Sequence, residues 1–479
     1  MLDSRTLWGR ITGRAPGGSL TAGRVMTGQE AGFEWVSGDP RVRAGAPTLI
    51  LAIKRSWAEV DAALPVAWQL RRQHPDWQVL AILQDRELHA TRERFPALFG
   101  ILCDTADAVA VPVHRLGSGY KRRKSRHDGR RESALRHAIR DLATRWRLRG
   151  IARRETRALV DAGVLDGESL VLLRNHKPGT PLEQGLLNAA PRMRAVSLHH
   201  GAHPVAPAGQ RALPDAPGRG PRADVFLAKT ADEAGLLRFP GDTAIAVVGT
   251  PKYDPAWMQH LAARADAGGE AARVEAFLRG RQAWLFLTRG PDNSVMDEGD
   301  YGELLQALRG VLGRRENVAL LVKPHPREDL AALRSTLPGA EGDNWLITGL
   351  APYAAAQRVE LTIAMWSSVI LDAAAAGTPV IELYRFRRPN RYLARLAEPA
   401  RLGSTHAALD LCVPTADEAE LEAAVEAWEQ SGWLAPEWQR RQRGVRALMG
   451  GVPGDVLGRA VTAMTAGHDA SARTGRHSA

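Results

Sequence analysis

Twice along the chain, short apolar runs bounded by turn residues alternate with segments whose apolar positions recur at helical spacing, and this repeat restricts the fold more than any composition does. The first series opens at Pro47–Ile53 (PTLILAI), which reads as a buried strand. Trp57–Gln73 follows, with Val60, Leu64, Val66 and Leu70 at helical spacing. Further strand-like runs lie at Gln78–Leu83, Ala106–Val113, Leu170–Leu173, Ala195–His199, Asp224–Ala228 and Ala244–Val248, with a long helical region at Glu132–Leu165. From about residue 281 the pattern restarts. Strands are expected at Trp284–Thr288, Val318–Lys323, Glu360–Ala364 and Pro379–Leu383, and helices at Gly302–Gly313, Glu328–Leu337 and Val369–Ala376.

Strands that alternate with helices pair in parallel and are covered on both faces. The expected architecture is therefore α/β, with two doubly wound, Rossmann-like domains facing a central cleft. The predicted organisation is an irregular segment at 1–45, a first Rossmann-like domain at 46–255 and a second at 256–417. Helices at 418–467 are expected to pack across both domains, and residues 468–479 to form a disordered tail. In open parallel sheets ligands gather beyond the carboxyl ends of the strands, so residues at those tips carry the most functional weight.

Charge and cysteine content narrow the classes. The 479 residues carry 64 Lys and Arg against 53 Asp and Glu, a net charge of +11. Lys121, Arg122, Arg123, Lys124, Arg126, Arg130 and Arg131 crowd one stretch. That stretch fits a solvated loop and helix start, or an arm that touches anionic lipid or a polyanionic acceptor; no specific nucleic-acid partner is expected. Cys103 and Cys412 stand alone, outside any CxxC or Cys/His cluster, which argues against a disulfide framework or a zinc site. No cofactor or required metal is expected. No run approaches the ~18 apolar residues of a membrane span, and Met1–Ala46 lacks the apolar core of a secretory signal. The expected location is the cytoplasm, with at most peripheral contact on the inner face of the plasma membrane.

Five tip motifs could carry chemistry. Lys323-Pro324-His325-Pro326 follows a strand directly, and its two prolines fix the backbone around His325. With Lys323 and Arg327 it could meet a phosphate, although a Pro-rich turn with a merely polar His fits equally. Ser367 and Ser368 stand where a strand ends and a helix begins, where exposed N–H groups favour an anion or where Ser368 simply caps the helix. Leu198-His199-His200-Gly201-Ala202-His203 places three histidines at a first-domain tip, candidates for taking a proton from an acceptor hydroxyl. Gly249-Thr250-Pro251-Lys252-Tyr253-Asp254 leads into the interdomain joint, where Thr250, Lys252 and Asp254 could face the cleft. Arg289, in the loop after the first strand of the second domain, could hold a phosphate through both arms of its guanidinium.

The order of these motifs resembles the CDP-glycerol glycerophosphotransferase family and related capsule and polysialic acid transferases. The likeness runs from Ala195 to Tyr384: an HG loop, then G-x-P-K-Y-D, an Arg-containing loop, KPHP, and SSVILDAAAAGTPVIELY, in which Glu382 falls. Ala364, Met365 and Trp366 stand where that family carries Thr-Asp-Tyr. The resemblance implies a GT-B fold and transfer from a nucleotide-linked, cytidine-type donor without a required metal. It assigns donor phosphates to His325, Ser367 and Ser368, and the acceptor base to His200, with His199 and His203 as substitutes. The implied activity is glycosyl or glycerophosphate transfer to a polysaccharide or lipid-linked acceptor, building a bacterial surface polysaccharide or teichoic-acid-like polymer. A nucleotide-sugar 2-epimerase of the same fold and a non-catalytic polyanion-binding protein are the rival expectations.

Overall fold

The computed structural model describes residues 33–38, 45–54, 56–113, 134–176, 179–199, 223–236, 242–266, 269–291, 296–325, 328–385, 405–408, 410–432, 435–448 and 455–466. His200, Gly201, His203, Arg327, the basic stretch 121–131 and the tail 468–479 lie outside them.

The first domain runs β1 (Phe33–Gly38), β2 (Thr48–Ile53), α1 (Trp57–Gln73), β3 (Gln78–Leu83), α2 (Arg86–Ala90), α3 (Pro96–Thr105), β4 (Ala108–Pro112), α4 (Ala134–Asp161), β5 (Leu170–Asn175), α5 (Pro181–Ala189), β6 (Arg194–Leu198), β7 (Val225–Ala228), α6 (Ala231–Leu236) and β8 (Ala244–Val247). Its strands form one sheet in the order β1-β4-β3-β2-β5-β6-β7-β8. Every neighbouring pair is parallel except β1 with β4. The central strands are buried throughout because helices cover both faces. β1 falls inside the segment expected to be irregular. Its six residues survive as a strand by pairing with the sheet edge, with a bulge between Trp35 and Ser37.

Two helices then lead across, α7 (Pro255–Asp266) and α8 (Glu270–Leu278). Trp257, Met258 and Leu261 of α7 pack into the first core, while Ala265 in its last turn joins the second. The second domain runs β9 (Gln282–Leu287), α9 (Glu298–Gly313), β10 (Val318–Lys323), α10 (Leu330–Thr336), β11 (Trp345–Ile347), α11 (Pro352–Ala356), β12 (Leu361–Ala364), α12 (Ile370–Ala375), β13 (Val380–Leu383), α13 (Thr405–Ala408) and β14 (Val413–Thr415). Its sheet, ordered β11-β10-β9-β12-β13-β14, is wholly parallel. The three-residue strands β11 and β14 are too short to register as apolar runs.

The helical stretch read at the carboxyl end is divided. α14 (Glu418–Ser431) stops at Gly432, whose φ is +63°, and α15 (Pro436–Leu448) follows. Leu421, Val425 and Trp428 of α14 pack into the second core. α16 (Val456–Thr465) returns to the first domain through Leu457, Ala460, Val461 and Met464. Gly249 fits beneath this helix: its φ is +94°, and a Cβ there would lie 3.0 Å from a Val456 methyl.

On the inner face of α4, Glu155 is fully buried and neither carboxylate oxygen has a hydrogen-bond partner. Burial pushes its carboxyl up to about 8 against the weaker pull of Arg154. A folded-state value above the unfolded one means that stability is greatest at low pH and falls as pH climbs toward 8. E155Q, which stays neutral, should flatten that slope. Thermal melts at acidic and mildly alkaline pH check this, and the wild type is expected to lose several kcal/mol relative to the variant across the window.

Candidate functional site

Each sheet reverses its strand order once, between β2 and β5 in the first domain and between β9 and β12 in the second. At such a reversal the flanking loops diverge and leave a crevice beyond the strand tips. The crevices are filled differently. In the first, a buried polar network occupies the space. Lys54 Nζ lies 3.3 Å and Arg174 Nη1 3.2 Å from Glu183 Oε2, and Gln84 Nε2 donates to Glu183 Oε1 at 3.0 Å. Asn175 donates to Glu59 Oε1 at 3.1 Å. Dispersed single polar residues gave no sequence motif for this cluster; only strand pairing assembles it.

The second crevice opens into a cavity of about 340 Å³ between the domains. From the second domain it is lined by Thr288, Lys323, Pro324, His325, Ser367 and Ser368. The first domain contributes Ser56, Trp57, Phe95, His199 and Lys229, and the connecting turn adds Thr250 and Lys252. His325 and Ser367 therefore share one chamber. Both are accessible from it, with His325 half-buried and Ser367 5% exposed.

The KPHP turn is held from behind. The His325 backbone N–H donates to Thr288 Oγ1 at 3.1 Å and to Glu328 Oε2 at 3.2 Å. Thr288 and Tyr301 hydroxyls both donate to the same Glu328 carboxylate. Burial raises that carboxyl to about 6, against the hydrogen bonds from Tyr301 and His325. Glu328, expected as the first residue of a helix, instead clamps the turn, and α10 starts two residues later. Lys323 is buried, with Nζ 3.5 Å from the Thr348 carbonyl oxygen and 5.7 Å from the centre of the Phe95 ring across the cleft. Burial brings its amine down to about 8.

The serine turn is held differently. Trp366 has a φ of +23°, a conformation that a residue with a side chain adopts only under constraint. Arg289 supplies the constraint. Its Nη1 donates to the Trp366 carbonyl at 3.1 Å, and its guanidinium sits 4.4 Å over the indole, which stacks on Tyr384 at 5.8 Å. Arg289 thus braces the serine turn and does not reach the cavity wall. The helix cap is Val369, with no side-chain cap bond, so neither serine is spent on capping. α12 is six residues long, too short for a large dipole, which leaves the hydroxyls and turn N–H groups as the donors.

On the facing domain, His199 is 5% exposed and its Nδ1 lies 3.1 Å from Glu233 Oε1 and 3.5 Å from Lys229 Nζ. His176 meets it edge-on at 4.3 Å between ring centres. A proton on Nδ1 directed at Glu233 makes Nε2 the basic nitrogen. Burial pushes the Glu233 carboxyl up and the Lys229 amine down to about 8, each opposed by attraction to the other. His199 is the one histidine of the HG loop within the described residues. The partner Glu233 lies 34 residues downstream, a spacing no local pattern reveals.

Lys252 ties the two walls together. Its Nζ lies 3.1 Å from Asp61 of α1 and 2.9 Å from Asp372 of α12. Burial alone would lower its amine, but Asp372 and then Asp61 overcome this and hold it well above its ordinary value. Two other residues expected in the cleft are elsewhere. Asp254 is buried, accepting from Ala256 N at 3.0 Å and Leu457 N at 3.4 Å, so it fixes α7 to α16. Glu382 is fully buried in β13, 3.3 Å from His406 Nδ1 and accepting from Cys412 Sγ at 3.5 Å, because alternation along the strand turns it away from the cavity. Among the described residues no group of three or more His, Cys, Asp or Glu is placed to hold a metal ion, and no helix is long and apolar enough to cross a membrane.

Removing the shared cation should loosen the joint. K252M is expected to lower stability by roughly 2–3 kcal/mol, less than a fully buried pair because Asp61 is partly exposed. K252R should retain most of it. Urea denaturation at neutral pH makes the comparison, and an unchanged midpoint in K252M would show that the triad does not hold the domains together.

No protein-family model matches the chain, and no curated protein matches it significantly. Solved structures do. The UDP complex of MnaA from S. aureus superposes with a TM-score of 0.52 at 10% identity, covering 88% of this chain and 96% of that one. UDP-GlcNAc 2-epimerase from Neisseria meningitidis, bound to UDP-GlcNAc, gives a TM-score of 0.52 at 13% identity, covering 87% and 97%. At these identities the likeness speaks to architecture: two parallel-sheet domains across a cleft, the GT-B fold.

Proposed function

We propose that the protein is a transferase that moves a glycosyl or glycerophosphate group from a nucleotide-activated donor to an acceptor hydroxyl. The observation that carries this reading is the single cavity in which a carboxylate-oriented imidazole, His199 with Glu233, faces a phosphate-type cradle of His325, Ser367 and Ser368. The order of tip motifs supports a cytidine-linked donor and a place in building a bacterial surface polysaccharide or teichoic-acid-like polymer, on a polysaccharide or lipid-linked acceptor. We assign the base to His199 because it lines the cavity with Glu233 3.1 Å behind its Nδ1; His200 and His203 lie outside the described residues.

The chemistry would proceed in one displacement. His199 removes the acceptor proton as the hydroxyl oxygen bonds to the transferred group, and the bond from that group to the nucleotide breaks. Negative charge grows on the departing nucleotide phosphate. His325, the serine hydroxyls and Lys323 would meet that charge, fixed beforehand by Glu328 and Arg289 so that little reorganisation is needed. No residue role in this scheme calls for a cofactor or a metal.

A second reading is favoured by the fold neighbours, one of which is a UDP-GlcNAc 2-epimerase with its nucleotide sugar bound. An epimerase would isomerise a nucleotide sugar with no acceptor present, whereas the transferase would leave it unchanged.

Two measurements test the proposal. A thermal-shift screen against CDP, CMP, UDP and GDP should show stabilisation by at least one nucleotide, since a ligand that binds only the folded state raises its melting temperature. H325A should weaken that shift. H199A should leave it intact while lowering turnover by about 10²–10⁴-fold, the range for loss of a general base. Full turnover in H199A would reject His199 as the base, and sugar isomerisation without acceptor would reject the transferase assignment.

A further inference from the structure

The outer face of α4 carries an unusual combination. Trp146 is 65% exposed and Val160 is 37% exposed. Between them Arg147, Arg149, Arg153, Arg154 and Arg157 all point to solvent. Trp146, Arg149, Arg153, Arg157 and Val160 recur at intervals of three and four residues, which puts them on one stripe of the helix. The opposite stripe is buried: Ala152 and Leu159 pack into the core beneath the first sheet, and Glu155 is turned inward with them. The exposed acid of this segment, Asp161, is paired with Arg157 at 2.9 Å. Five arginines therefore face one carboxylate, around a large indole left in water.

We infer that this face of α4 docks on an anionic lipid bilayer. An exposed tryptophan costs free energy in water that interfacial burial recovers, since its apolar ring and polar N–H suit the headgroup region. Arginines on either side can lay their methylene stems along the acyl boundary while their guanidinium groups reach lipid phosphates. A helix braced along its inner side presents these groups in one plane without further ordering. Nucleic acid would also attract the arginines, but gives no comparable return for Trp146 and Val160 at the two ends of a straight stripe. The charge is on the folded surface itself, separate from the basic stretch at 121–131.

Topology gives the surface a direction. α4 connects β4 to β5 within a parallel sheet, so it runs antiparallel to the strands and begins at their carboxyl ends. Its 28 residues span about 42 Å, roughly twice the length of a six-residue strand. A helix of that length extends past the sheet it covers. The docking inference itself does not depend on the transferase reading.

Co-sedimentation of the full chain with lipid vesicles tests it. Binding is expected to phosphatidylcholine vesicles containing about one third phosphatidylglycerol and not to phosphatidylcholine alone, and to weaken at high salt. R149A/R153A should reduce it by roughly 30-fold, at the usual contribution of a basic residue near an anionic surface. W146A should weaken it at every salt concentration, with the largest fractional effect at high salt. All these side chains are exposed, so melting temperatures should match the wild type. Three results would overturn the inference: no preference for the anionic vesicles, binding unaltered in both variants, or a DNA duplex that competes fully and is itself bound in a manner sensitive to the arginines but not to Trp146.

Discussion

One ammonium group caught between carboxylates of two domains sets the geometry on which the rest depends. Lys252 belongs to the connecting turn, Asp61 to α1 and Asp372 to α12. Burial would favour a neutral amine, and the two acids reverse that. The same contact that joins the domains also forms part of the cavity wall, so the width of the cavity and the stability of the joint are not independent. Asp372 follows the serine turn by one helical step, and α1 begins beside the cavity at Ser56 and Trp57. A shift of the triad would therefore move both sides of the site.

Behind the cavity, each polar group that faces inward is fixed by a residue that does not. Glu328 gathers Thr288, Tyr301 and the His325 backbone. Arg289 holds Trp366 at a positive φ and so aims the serine turn. Glu233 sets His199. The burial of these carboxylates raises their proton affinity, a cost accepted where rigid placement matters more than solvation. Preorganised donors of this kind stabilise developing charge without rearranging when it appears.

The contrast between the two crevices has the same origin. Both sheets reverse their order and both could have opened a site. In the first domain Lys54, Arg174, Glu183, Gln84, Glu59 and Asn175 pair with one another and occupy the gap. In the second, Pro324, His325 and the two serines line an open cavity instead.

The alternation of apolar runs determined the α/β class, the two-sheet division and nearly every long strand, because a parallel strand buried on both faces must be apolar along its length. Tip positions of His199, His325, Ser367 and Lys252 were legible for the same reason: each directly follows such a run or its turn. Tertiary structure alone decided the partners. Glu233 lies 34 residues from His199, and Asp61 and Asp372 lie 191 and 120 residues from Lys252, separations that no local periodicity encodes; Glu328 is only three residues from His325, but Thr288, which shares its carboxylate, is 40 residues away. It also decided the failures of local reading. Glu382 was read as a cleft residue, and the pleat turned it inward; the contact of Arg289 with Trp366, 77 residues away, had no local signal. Short strands such as β11 and β14, and the edge strand β1, exist only because a neighbouring strand supplies the hydrogen bonds that three to six residues cannot provide for themselves.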